Sequence, residues 1–155
     1  MIKIVDFIPE HATALDAIGD AEWNHTPMLD DSKKHNITKV AIVDGKVVGT
    51  TYGKKKGDLF LYDVILIDKN YRVGNVAMEL NQALLGYVKS LGCKNCVVKS
   101  MLSPGRRSCS ATALKRQGFR EILRVEGYWS DEPEICKVCG YNPCKCTCIF
   151  MLKEL

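Results

Sequence analysis

Residues 65–92, ILIDKNYRVGNVAMELNQALLGYVKSLG, decide how this chain is read. The apolar run Ile65-Leu66-Ile67 ends a strand, and Tyr71-Arg72-Val73-Gly74-Asn75-Val76-Ala77 forms a small-residue turn that opens directly into an amphipathic helix. Val76, Leu80, Ala83, Leu84, Tyr87, Val88 and Leu91 recur at helical spacing over 74–91, and Gly92 stands where a helix stops. Such a turn aims free backbone N–H groups and the positive end of a helix dipole at one point, which suits an anion. Arg72 at its mouth adds a fork of donors that matches a phosphate. Residues 72–77 are therefore expected to dock a phosphorylated ligand.

The flanking sequence reads as strands on one side and a strand–helix alternation on the other. Residues 2–8 are a short strand ended by Pro9, followed by a helix over 13–23 with Leu15, Ile18 and Ala21 on one side. Residues 24–38 are polar, with a short helix over 28–34. Strands follow at 40–43, 46–52 and 59–67, joined at Asp44-Gly45 and Gly57-Asp58. After the helix come a buried strand at 96–102, a helix over 107–117 closed by Gly118, a strand at 119–128 and a last one at 149–152. Hairpins followed by this alternation predict an α/β (α+β) sandwich with one mixed sheet, in one domain spanning 1–155. The turn lacks GxGxxG, and the chain is too short and hairpin-rich for a full dinucleotide fold.

Composition narrows the classes. Hydrophobic content of 46% and charged content of 26% are ordinary for a globular protein, and a net charge of +4 fits an anionic ligand better than a nucleic acid. Lys54-Lys55-Lys56, between Gly53 and Gly57, reads as a solvated hairpin tip ahead of a phosphate patch. No apolar run is long enough for a membrane span, and MIKIVDFIPEH lacks the apolar core of a secretory signal, so a cytoplasmic location is expected. Eight cysteines in that setting favour free thiols or metal ligands over disulfides.

Five of them fall in residues 136–148. Cys136-Lys137-Val138-Cys139-Gly140 has the spacing and trailing glycine of a zinc knuckle, and any two of Cys144, Cys146 and Cys148 would complete a four-thiolate site. Cys144 and Cys146 are the first choice, because Cys148 borders the last strand. An iron–sulfur site, a disulfide-prone loop and reduced thiols are the alternatives. A four-thiolate zinc site has no open position, so its role would be structural. Cys93 and Cys96 read as core thiols, and His11, His25 and His35 have no ligand spacing among themselves.

The element order, the Arg72–Ala77 turn and Ala111-Thr112-Ala113-Leu114-Lys115-Arg116-Gln117-Gly118-Phe119 together resemble the GNAT family of acetyl-CoA-dependent N-acyltransferases. The family turn is Arg/Gln-x-x-Gly-x-Gly/Ala. Arg72 and Ala77 match its ends, Asn75 stands where glycine is usual, and Gly74 sits one place early. The resemblance implies a GNAT-like central, mostly antiparallel sheet of about six to seven strands flanked by helices, with the Cys-rich loop before the last strand. It implies acetyl-CoA with its pantetheine along Ile65, Leu66 and Ile67 and its pyrophosphate on Arg72, Val73, Gly74, Asn75, Val76 and Ala77. Asp63, nine residues before Arg72, takes the place of the acidic base, with Asp58 the weaker alternative. The usual acid, a tyrosine, is replaced by Leu114, leaving Tyr62, Tyr128, Ser108, Cys109 or water to substitute.

The function expected on this basis is transfer of an acetyl group to a primary amine of a small-molecule or protein acceptor. The zinc loop would shape the acceptor site, and Trp23, Asn24 and His25 would border it. The alternatives are an inactive relative and a zinc-loop module that binds protein or nucleic acid. The sequence leaves a homodimer open.

Overall fold

In a computed structural model, residues 1–22, 27–35, 37–106 and 110–155 are described. The expected specificity residues Trp23, Asn24 and His25, and the acid candidates Ser108 and Cys109, lie outside them. Alternating and doubly apolar runs give seven strands: β1 (Ile2–Asp6), β2 (Ile37–Val43), β3 (Lys46–Lys56), β4 (Leu59–Ile67), β5 (Asn95–Leu102), β6 (Arg120–Glu126) and β7 (Thr147–Glu154). Four helices accompany them: α1 (Ala12–Glu22), α2 (Met28–Lys34), α3 (Val76–Ser90) and α4 (Ser110–Arg116).

The strands form one sheet in the order β1-β2-β3-β4-β5-β7-β6. Every neighbouring pair is antiparallel except β4 and β5. Val40 and Tyr52 pack under α1 and α2, through Ala12, Leu15 and Met28. Ala41, Val48 and Ile67 pack under the Val76–Leu80 turn of α3. Because neighbours in β2 point to opposite faces, these are the two sides of a three-layer sandwich. Leu84 and Val88 of α3 share a further core with Ala111 and Leu114 of α4. Strand β3 runs past the expected end at Tyr52, so Lys54–Lys56 belong to its ladder, opposite Leu61–Leu59, and the tip is Gly57-Asp58.

Two breaks in regularity position the site. The β3–β4 register passes from Tyr52↔Val64 to Gly53↔Tyr62, so Asp63 is an extra, bulged residue. A bulge bends its strand and increases the local twist. The parallel β4–β5 pairing also stops there, at Tyr62↔Val98, and the two strands diverge beyond it. Residues 63–67 thus have no strand on their β5 side among the described residues.

Gly53 makes the bulge sterically affordable. A Cβ there would collide with the Leu61 carbonyl and lie 2.5 Å from a ring atom of the fully buried Phe60. Gly53→Ala is expected to destabilise the fold by about 3 kcal/mol, the upper range of core overpacking, because backbone must move. A urea midpoint equal to that of the unaltered protein would refute the clash.

Candidate functional site

Where β4 leaves β5, a cavity of about 630 Å³ opens between Asp63 and Ile65 on one wall, Lys99 and Met101 on another, and the segment Trp129–Val138 across the mouth. Asp63 comes from the bulge, and its side chain is 34% exposed. It is not solitary. His35 Nε2 lies 2.9 Å from Oδ2 and Lys99 Nζ 3.5 Å from Oδ1. Lys99 also stands 5.8 Å from the ring centroid of Tyr128. Asp58, the weaker candidate, pairs with Lys94 at the opposite end of β4.

Strand β4 leads through a short 3-10 turn, Lys69–Tyr71, into α3. Asp68 steadies the turn by accepting from the Asn70 amide at 2.9 Å, and that bond, aided by Lys46, holds its carboxyl below the usual range. The positive φ of the turn falls on Gly74, at +129°, while Asn75, which stands where the family pattern has glycine, sits at −97° as the residue before the helix. The shifted glycine is therefore where this backbone needs one. The Asn75 side chain does not cap α3, which leaves the amides of its first turn facing the exposed loop. Val73 is 97% exposed.

Arg72 differs from expectation. Its Nε donates to the Ile67 carbonyl at 3.2 Å and its NH2 pairs with Glu22 at 2.6 Å, so part of the guanidinium is already engaged. One backbone acceptor of the strand end, the Ile67 carbonyl, is engaged with it.

Leu114 is 5% exposed and packs in the core, so no side chain at that position donates a proton. Tyr62 is also committed elsewhere. Its hydroxyl donates to Asn81 Oδ1 at 2.5 Å, Asn81 Nδ2 donates to Gln117 at 2.6 Å, and burial pushes the phenol far above its ordinary pKa. Tyr128 is half-exposed and packs edge-on against Trp129 and Phe150.

Between β6 and β7 the chain makes turns without helix or strand. The sulfurs of Cys136, Cys139, Cys144 and Cys146 all lie within 4.8 Å of one another there, with Cys139 and Cys144 at 3.9 Å. Four thiolates at about 2.3 Å around a tetrahedral ion stand about 3.8 Å apart, so the donor set fits a metal ion. The Gly140 amide closes the knuckle onto the Cys136 carbonyl at 2.7 Å, and the Cys146 amide donates to Cys144 Sγ at 3.4 Å. Burial opposes ionisation of Cys139, but the Lys145 and Tyr141 amides outweigh it and lower its thiol to about 6. Cys148, counted among the candidates, lies outside the group. It is inside β7, opposite Met101 and Val125, and fully buried. The strand carries its sulfur into the core, where burial raises its pKa. Cys93 and Cys96 are likewise buried, and burial pushes Cys96 up to about 12. Cys136 and Cys144 themselves line the cavity that contains Asp63.

His35 was missed by sequence reasoning. It follows α2 directly and has no motif around it; only the fold brings it to Asp63.

No protein-family model matches the chain, and no curated protein sequence is similar to it. Solved structures are. Ard1 from Thermoplasma volcanium superposes with a TM-score of 0.79 at 18% identity, over 99% of this chain and 97% of that one. A ribosomal-protein-alanine N-acetyltransferase from Brucella melitensis gives 0.74 at 20%, over 99% of both chains. A GNAT family acetyltransferase from Elizabethkingia anophelis, solved with acetyl-CoA bound, gives 0.74 at 15%, over 99% and 98%. At such identities the likeness is one of architecture, and with the splayed β4–β5 pair and the seven-stranded order it gives this chain the fold of the GNAT acetyltransferases.

Proposed function

We propose that this protein is an acetyl-CoA-dependent N-acetyltransferase acting on a primary amine. The observation that carries the reading is the divergence of β4 from β5 at Tyr62↔Val98, which bares one edge of residues 63–67 beside a cavity that holds a carboxylate. Acetyl-CoA supplies an activated acyl thioester. Ile65, Leu66 and Ile67 offer it an edge with no neighbouring strand, at which the Ile67 carbonyl already accepts from Arg72. The turn 72–77 and the uncapped start of α3 offer amides for its pyrophosphate. Asp63 takes the proton of the acceptor amine from within the cavity. Leu114 and Tyr62 are unsuited to return a proton to sulfur, so this reading leaves that step to water and to proximity.

Zinc is the metal that four clustered thiolates without a histidine or open position suit best, and its role here is structural. Since Cys136 and Cys144 form part of the cavity wall, the metal would hold the acceptor side of the site in shape.

Titration calorimetry with acetyl-CoA, followed by thiol release over a panel of amines, tests the proposal. Binding in the micromolar range is expected, and none at millimolar cofactor would sink it. Arg72→Ala should weaken binding only about 10-fold, one charge-assisted hydrogen bond, because Glu22 and Ile67 already engage that side chain.

A further inference from the structure

The N-acetyltransferase reading gives the acceptor's proton to Asp63 and leaves the sulfur of departing coenzyme A to water. The strand that parts from β4 carries a better donor. Buried residues alternate along β5 at Cys96, Val98 and Ser100, so Val97, Lys99 and Met101 share its other face. Val98 is the last β5 residue paired with β4, through Tyr62. Lys99 is therefore the first residue of β5 beyond the parting, and it lines the Asp63 cavity together with Met101. The side of β4 that β5 leaves is the side on which the N-acetyltransferase reading puts the thioester, and Lys99 stands across it.

This lysine is held in place without being used up. Nζ lies 3.5 Å from Asp63 Oδ1, beyond the usual N–H···O span of about 2.7–3.2 Å, and 5.8 Å from the Tyr128 ring centroid. An ammonium has three donors, and these two contacts engage two of them at most. The side chain is 35% exposed, so water reaches it. Other donors on the cavity wall are committed. Ser110 Oγ shares a hydrogen bond with Ser100 at 2.6 Å, Lys137 Nζ donates to the Asp20 carbonyl at 3.4 Å, and Cys136 and Cys144 belong to the thiol cluster. Among the described residues that line the cavity, Lys99 is the cation paired with Asp63.

We propose that Lys99 is a catalytic residue that protonates the departing thiolate and is reloaded by Asp63. This rests on the N-acetyltransferase reading. Attack by a neutral amine on the thioester carbonyl forms the C–N bond, and one N–H bond of the amine breaks toward Asp63. The C–S bond breaks with its electron pair on sulfur, and an Nζ–H bond of Lys99 breaks as the S–H bond forms. Asp63 then returns its proton to the neutral Lys99 amine, across the 3.5 Å contact or through one water. Both residues end as they began, and amine plus acetyl thioester have become amide plus thiol. An acceptor that arrives as an ammonium first loses one proton to water. With the acid beside the base, the site has a proton donor although Leu114 is apolar.

Two variants and two additives test the assignment, read by thiol release from acetyl-CoA with the best acceptor of the amine panel. Lys99→Ala should lower kcat by about 100-fold, the low end for proton transfer, and leave the KM for acetyl-CoA unchanged. Lys99→Arg keeps a positive charge beside Asp63, but a guanidinium does not give up its proton, so kcat should fall as far. Trimethylammonium carries a transferable proton, whereas tetramethylammonium carries only charge. The first should restore part of the Lys99→Ala rate and the second none. A kcat within about threefold of the unaltered value in either variant, below what proton transfer contributes, overturns the proposal. Rescue by both cations or by neither overturns it too, since charge or packing alone would behave so. Loss of acetyl-CoA binding by Lys99→Ala in calorimetry also counts against it, because the lysine is given no part in holding the cofactor. An unaltered protein that acetylates no amine sinks the enzyme reading and the assignment with it. A working enzyme whose variants fail these tests sinks the assignment alone.

Discussion

Chelation of the metal proposed for Cys136, Cys139, Cys144 and Cys146 is expected to lower the melting temperature of this protein by about 10 °C and, on the proposed reaction, to raise the KM for the acceptor while leaving acetyl-CoA affinity unchanged. A ligand present at a thousand times its dissociation constant stabilises by about 4 kcal/mol, and a domain of this size moves by about 2–4 °C per kcal/mol. The effect is confined to one side of the molecule because the four sulfurs lie in the turns between β6 and β7 and line the Asp63 cavity through Cys136 and Cys144. The proposed pyrophosphate turn, residues 72–77, and the start of α3 line no part of that cavity. Cys139→Ser should begin at the lowered melting temperature and show no further response to chelator. Scanning calorimetry with metal analysis checks this: identical melting of the metal-loaded and chelated protein would remove the metal from the account, and visible absorbance from iron and sulfide would replace zinc. Cys148→Ser should leave metal content unchanged, since its sulfur lies within β7.

Asp63→Asn should reduce kcat by about 100- to 1,000-fold, the loss typical of removing a positioned general base. Asparagine keeps the size of the side chain and the bulge that Gly53 permits, so the fold and the KM for acetyl-CoA should be preserved. Its amide cannot take up the proton of the acceptor, and it withdraws the anion from both His35 and Lys99. Steady-state kinetics over an amine panel reads the effect. An unchanged kcat would assign Asp63 to a merely structural clasp between His35 and Lys99.

How far the residues alone disclosed this site follows from where each signal is stored. The stripe on α3, the hairpins at Asp44-Gly45 and Gly57-Asp58, and the stop at Gly92 are local properties of neighbouring residues, and the structure reproduces them within a few positions. The cysteine spacing is local too, and the four sulfurs converge as the knuckle pattern implied. Cys148 was harder, since a strand boundary one residue away decides whether a sulfur faces a loop or the core. The Asn75 substitution looked like a defect only while the turn was aligned by pattern; its backbone angles put the glycine requirement on Gly74 instead.

By itself, then, the sequence determined the element order, the helix-start turn and the thiol cluster, because periodicity, turn chemistry and ligand spacing act over a few residues. Only the tertiary structure decided what surrounds Asp63. The bulge opposite Gly53, the parting of β4 from β5, the clasp of His35 and Lys99, and the hold of Glu22 on Arg72 all join residues far apart in the chain. Such contacts arise when strands pair and twist, and no local pattern of residues encodes them.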